Sequence, residues 1–414
     1  MRLSGRGGRS NAVGAAGRRV LLAHPVLLLV GIVLASLNMR AALASVSPLV
    51  SELAETYGLS SAASSLVTSV PVLFLGLGAL LAPWLGRRLG AERVLFAALL
   101  LLGAGILVRI LPSAAALYGG GVLVGTAIAL LNVLMPGLIK RDFPDRAASM
   151  TSVYTGAMIA GATVVAAASV PLERALGGWR ASLGFWSLLA VVAAVAWLPQ
   201  VLIARGRTGH GARGAAGAGT VPGPVRSVWR SALAWQVTLF MGLQSLWSYV
   251  LIAWMPTIFT DHGMSRSTAG VIFAFNNLIQ VAGAFAVPLL AGRMRGQRPL
   301  VVLVTTLVAA GYAGLMIAPV EGAWVWSAVL GVGQGGAVGL ALTLIVLRSG
   351  DAMTAARLSG MAQTVGYLLA AVGPLAAGAL HQATGSWTPP IVAVLGVCAA
   401  ALAVGLLAAR DRTV

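Results

Sequence analysis

Arg40 and Arg109 first demand a chemical explanation, because each stands inside an apolar stretch where an ionised side chain is costly. At 1.5 Å per residue Arg40 lies roughly 21 Å from the basic end of its stretch, too deep for an easy exit to water. Its planar guanidinium can hold two acceptor atoms at once, which suits an anionic or strongly dipolar solute. The alternative role is structural, with the guanidinium bonded to helix carbonyls. Arg109, three residues before Pro112, reads as a side chain that snorkels to the outer surface. Uncharged polar residues join Arg40 as candidates for binding. Gln244, Asn276, Gln334 and Tyr367 fall roughly 14 to 18 Å into their stretches, near the middle of a bilayer core about 30 Å thick. Gln280 and Asn277 lie close to Asn276, Trp247 and Ser248 stand one turn beyond Gln244, and Gln363 one turn before Tyr367. Any one of these could instead bond helix to helix.

Other chemistry finds little to work with. Cys398 is the single cysteine, and His24, His210, His262 and His381 are scattered, so no metal site, disulfide framework or catalytic constellation is expected. The glycine-rich runs, such as Gly119 to Gly121 or Gly331 to Gly339, have no neighbouring strand and no following Lys-Ser or Lys-Thr pair, which excludes a phosphate-binding loop. Close helix packing accounts for them. No enzyme activity and no cofactor is expected. No Asp or Glu falls within an apolar stretch, so proton coupling would need a boundary carboxylate, a histidine or the solute itself.

The elements that position these residues are legible from hydropathy. The 414 residues are 58% apolar and 9% charged, with a mean hydropathy of +0.92, so lipid must solvate most of the chain. On a ruler of about 20 residues per helix, twelve spans are predicted: 22–48, 62–85, 94–111, 114–139, 147–170, 181–203, 231–256, 267–291, 299–318, 323–347, 355–379 and 388–409. The net charge of +18 does not indicate a nucleic-acid partner, because its distribution follows the spans. Alternate connections starting from the N-terminus hold 23 of the 28 Lys and Arg residues, the intervening ones only Arg174, Arg180 and Arg266. By the positive-inside rule both termini are cytoplasmic, in a multi-pass protein of the plasma membrane. The apolar run after Arg18-Arg19 continues into a span and reads as an uncleaved helix.

The chain divides into a basic tail (1–20), a six-helix bundle (21–203), a Gly- and Arg-rich cytoplasmic linker expected to be disordered (204–230), a second six-helix bundle (231–409) and a short tail (410–414). The halves echo one another: Gly58-Leu59-Ser60 precedes Pro83 and Gly86-Arg87, and Gly263-Met264-Ser265 precedes Pro288 and Gly292-Arg293. Two parallel six-helix repeats imply a carrier that binds its solute at the repeat interface and rocks one half against the other.

Between the second and third spans, Arg87-Arg88-Leu89-Gly90-Ala91-Glu92-Arg93 resembles a loop of the major facilitator superfamily, G-x-x-x-D-R-x-G-R-[RK]. Arg88 and Gly90 match, whereas Arg87 replaces the Asp associated with a cytoplasmic latch. Leu37 to Ala42, the thirteen residues Asn132 to Pro144, and Gln244 to Tyr249 resemble the cyanate and 2-nitroimidazole transporter branch. The resemblance implies an all-α integral membrane protein with twelve transmembrane helices in the major facilitator fold. It also adds Asn132 to the candidate site and implies cyanate-like or nitroimidazole-like solutes. The expected partners are a small-molecule substrate and the lipid bilayer, with a coupling ion left open, and the expected state is a monomer. Drug or metabolite efflux is the alternative. Against it, the fifth span has Gly156 and Gly161 but no Gly-Pro pair, and the first has Arg40 in place of an acidic residue.

Overall fold

A computed structural model describes residues 7–46, 49–59, 61–211 and 228–414. Among them it is built from α-helices: α1 (Gly7–Ala44), α2 (Val50–Tyr57), α3 (Ser61–Leu89), α4 (Ala91–Arg109), α5 (Ala114–Asp142), α6 (Ala147–Leu176), α7 (Trp179–Gly211), α8 (Ala232–Asp261), α9 (Arg266–Ala291), α10 (Arg298–Ile317), α11 (Ala323–Leu347), α12 (Ala352–Thr384) and α13 (Thr388–Ala408). Twelve are long and apolar enough to span a bilayer, as expected. The short α2 is the element that hydropathy missed, being amphipathic and too brief to cross.

Helix continues past two expected boundaries. The first span belongs to a helix that starts at Gly7, and α7 runs on to Gly211, into the expected linker. The disorder expected of that linker falls mainly on residues 212–227, which lie outside the described residues.

The repeat is visible in the packing. In the first half α3 packs on α5, α4 on α5 and α7, and α1 on α6 and α7. In the second, α9 packs on α11, α10 on α11 and α13, and α8 on α12 and α13. Glycine makes the closest pairs possible. A Cβ on Gly125 would collide with the Pro71 carbonyl, and one on Gly335 with the Gln280 carbonyl, so only hydrogen fits at either position. The echoed turns share a left-handed backbone, with φ +62° at Gly58 and +90° at Gly263, which glycine adopts without steric cost.

Away from the arginine-rich loops, α2 closes the outer end of the first half. Leu49 and Leu53 sink into a small cluster with Val46, Leu117 and Leu183. The Trp179 indole N–H donates to the Thr56 hydroxyl at 3.2 Å, and the Tyr57 hydroxyl to the Leu111 carbonyl at 2.9 Å. Arg109 belongs to this region, and the snorkelling expectation is corrected. It is only 2% exposed, lies over Gly120 and donates to the Ala42 carbonyl at 2.9 Å. A Cβ on Gly120 would stand 2.6 Å from the Arg109 Cγ, so glycine there leaves room for the arginine side chain to turn inward and tie α4 to the end of α1.

Candidate functional site

The two halves meet toward the face that carries the basic loops. There α3 and α5 pack on α12, and α6 packs on α9 and α11. The touching surfaces are small: Gly137 against Ala352 and Ala356, Gly360 against Ala79 and Pro83, Gly292 against Ala148, Gly156 against Phe285. Among the described residues, two hydrogen bonds cross the seam. The Ser152 hydroxyl donates to the Phe285 carbonyl, and the Gln363 amide to the Asn132 carbonyl at 3.0 Å.

No ion pair among the described residues joins the halves. Arg141 binds Glu92 and Asp142, both at 2.7 Å, inside the first half. Arg348 lies 3.8 Å from Asp411 inside the second. The loop that departs from the superfamily pattern behaves accordingly. Arg88 stacks over Trp84, with its guanidinium carbon 4.4 Å from the ring centre, and Gly90 (φ +87°) supplies the turn into α4. Packed glycines do the sealing here, in place of a charged latch.

Asn132 and Gln363 form the inner limit of the seam. The Tyr154 hydroxyl donates to the Asn132 side-chain oxygen at 2.9 Å, while the Gln363 side-chain oxygen is buried without a partner. Tyr367, one turn beyond Gln363 on α12, meets Tyr249 of α8 edge to face, with ring centres 6.4 Å apart. The charge of Arg40 acts on the phenols of Tyr154, Tyr249 and Tyr367 together. Arg40 itself sits one turn before the end of α1. Helical side chains lean toward their N-terminus, so its guanidinium is carried back toward the tyrosines. It is half-buried, and among the described residues it makes no hydrogen bond and no ion pair.

The remaining candidates separate into two groups. The Gln280 amide donates to the side-chain oxygens of Asn276 and Gln334, both at 3.1 Å, and the Asn276 amide to the Ser327 carbonyl at 2.8 Å. These three therefore tie α9 to α11, with one buried atom unpaired, the Gln334 amide nitrogen. Gln244 and Trp247 are buried within the second half. The Gln244 amide is held by Ser245 and Met241, and the Trp247 carbonyl accepts from Tyr312, leaving the Gln244 side-chain oxygen and the Trp247 indole N–H unpaired. Ser248 is half-buried and donates to the carbonyl of Gln244. Tyr154 was not found by sequence reasoning, because a tyrosine near the start of a span looks like an interface anchor; Tyr249 was noticed only as part of a motif.

Comparison with known proteins places this geometry in context. The sequence matches the Major Facilitator Superfamily over residues 28–374. It is 39% identical to the 2-nitroimidazole transporter of Escherichia coli K12 over 94% of this chain and 97% of that protein. It is 32% identical to the cyanate transport protein of the same organism, over 87% and 91%. A solved proton:xylose symporter superposes with a TM-score of 0.74 at 14% identity, covering 94% of this chain and 97% of that one. The chain belongs to the major facilitator superfamily and, like its relatives, is a transporter and not an enzyme.

Proposed function

We propose that this member of the major facilitator superfamily carries a compact anion or a small nitro-substituted heteroaromatic across the plasma membrane by alternating access, holding it between Arg40 and the three tyrosines. The observation that carries the reading is the unpaired guanidinium. An arginine within a span costs roughly 2.5–3.5 kcal/mol even on lenient insertion scales, so it needs a compensating partner. The two fully buried arginines have theirs in carbonyl oxygens: Arg109 at Ala42, and Arg348 at Ala408 and Ala409. Arg40 has none among the described residues, so the partner is supplied from solution. Cyanate would bring a full negative charge, and a nitro group two oxygens spaced for a guanidinium fork, so one arginine serves both solute types. Tyr249 and Tyr367 offer aromatic edges and hydroxyls to a flat solute.

The basic face is cytoplasmic on the positive-inside rule, and both termini lie there. With that face sealed by the glycine contacts, the site faces outward. Release would require the seam at Gly137, Gly292 and Gly360 to part. The transport is driven by the gradient of the solute or of a coupled ion.

The test is a thermal-shift screen of the purified protein against cyanate, nitrate, 2-nitroimidazole and a lipophilic cation, in wild type and Arg40→Gln. A ligand at 100 times its Kd stabilises the folded state by about 2.7 kcal/mol. Stabilisation by cyanate or 2-nitroimidazole that disappears in the variant is expected. Stabilisation that survives would remove Arg40 from the site, and a response to the lipophilic cation alone would favour efflux.

A further inference from the structure

On the basic face, the connection entering α10 and the chain leaving α13 border an open cleft of about 280 Å³, lined by Gly296, Arg298, Ala409, Arg410 and Asp411. Its two walls are clamped to each other. Arg348, 2% exposed, donates to the carbonyls of Ala408 and Ala409 on one side and to the Gln297 side chain on the other. Gln297 is fixed in turn by the carbonyls of Ala291 and Met294, and the Val414 N–H donates to the Arg348 carbonyl at 2.8 Å. The cleft is therefore a formed feature of the fold.

Its polar groups are poorly satisfied. The Arg410 side-chain Nε is buried without a partner. Arg298 uses its Nε on the Leu406 carbonyl at 3.3 Å, which leaves its terminal nitrogens free to face the cleft. Asp411 stands at the rim, largely exposed and drawn toward Arg348 at 3.8 Å. The first residue of α10 and the residues just past α13 place the cleft at the boundary of the membrane. Val302, one turn beyond Arg298 on α10, and Leu407, in the last turn of α13, are both exposed.

We infer that this cleft binds the phosphodiester headgroup of an anionic phospholipid, with its acyl chains lying along Val302 and Leu407. Arg298 and Arg410 together with Asp411 leave the cleft one net positive charge, equal and opposite to a phosphodiester's, the two guanidinium groups offer donors to its oxygens, and a basic pocket at the headgroup level of the cytoplasmic leaflet is where such lipids are met. The apolar turn beneath selects the lipid over free phosphate. The site lies apart from Arg40 and does not depend on what the carrier transports.

The experiment uses the full chain in a neutral detergent. Its unfolding midpoint is followed while short-chain phosphatidylglycerol, short-chain phosphatidylcholine or inorganic phosphate is added. Phosphatidylglycerol should raise the midpoint by several degrees and the other two should not. The rise should be lost in Arg298→Gln/Arg410→Gln, reduced in Arg298→Gln alone, and kept in Arg146→Gln, which alters an exposed arginine of the other half. If the double variant is unfolded before lipid is added, the exposed single variant decides. A rise that persists in the Arg298 variants, or an equal rise with phosphatidylcholine, overturns the inference. An equal rise with inorganic phosphate shows a simple anion site and overturns the lipid assignment.

Discussion

Gly137→Ala should weaken the closed basic face without weakening the helix that carries it. A Cβ at this position would stand 2.9 Å from the Ala352 carbonyl oxygen and 3.2 Å from the Ala356 Cβ, both in the opposite half. Those neighbours belong to the rigid start of α12, so the added methyl must push the halves apart. Overpacking of this kind costs about 1–3 kcal/mol. Alanine also favours helix over glycine by roughly 1 kcal/mol, but that gain is the same whether the seam is open or shut and cancels from the equilibrium between them. At 1.4 kcal/mol per tenfold, the closed form should lose about 5- to 150-fold in relative population. Spin labels at Arg146 and Met353, exposed residues on the basic face of the two halves, would report the separation in a cysteine-free background. The variant should show a new population at longer distance. Gly270→Ala, where an added methyl meets nothing within 4 Å, should not. An unchanged distance distribution in folded Gly137→Ala protein would refute the claim that these glycines hold the seam.

Three further outcomes follow from local chemistry. Arg109→Gln removes the short bond to the buried Ala42 carbonyl and leaves it only the long one from the Ser45 hydroxyl at 3.5 Å, a loss of about 1–3 kcal/mol; thermal unfolding should register it, and an unshifted midpoint would restore the snorkelling account. The Glu52 carboxyl is held above its ordinary 4.5 by its hydrogen bond to Glu173, by burial and by that neighbour's charge. Because its folded value is raised, the stabilisation it gives is complete below 4.5 and is lost as pH rises through the higher folded value. The unfolding midpoint should fall over that interval, and Glu52→Gln should flatten the dependence; an identical slope in the variant would show that the pair is irrelevant. Asp351 caps α12 by accepting from the Thr354 N–H at 2.8 Å and its hydroxyl at 3.0 Å. Burial opposes its charge, but those bonds, the Met353 N–H and Arg357 outweigh it and hold the carboxyl below its ordinary 3.8. Its contribution is present above 3.8 and lost as pH falls through the lower folded value. Asp351→Ala should cost about 0.5–2 kcal/mol at neutral pH, read from the unfolding midpoint.

The spans, their number and the side that carries the charge were legible in the sequence, because the cost of charge in lipid writes itself into composition residue by residue. The echo of Gly58 and Pro83 in Gly263 and Pro288 likewise survived as sequence, since a left-handed turn and a helix proline admit few substitutes. What composition could not assign was the direction in which a polar side chain faces. Asn276, Gln280 and Gln334 sit at the same depth as Tyr367, yet they bond one another between α9 and α11, while Tyr367 turns to Tyr249. Arg40 and Arg109 are the same residue type in similar apolar surroundings, and only packing separates them. Gly120 makes room for one arginine side chain, whose guanidinium reaches the Ala42 carbonyl, and no carbonyl among the described residues is offered to the other. The sequence by itself thus determined the solvent, the number of spans and the repeat. Tertiary structure alone decided which polar groups satisfy each other and which are left for a solute, because hydrogen bonding depends on neighbours brought together by helix packing across long separations in the chain.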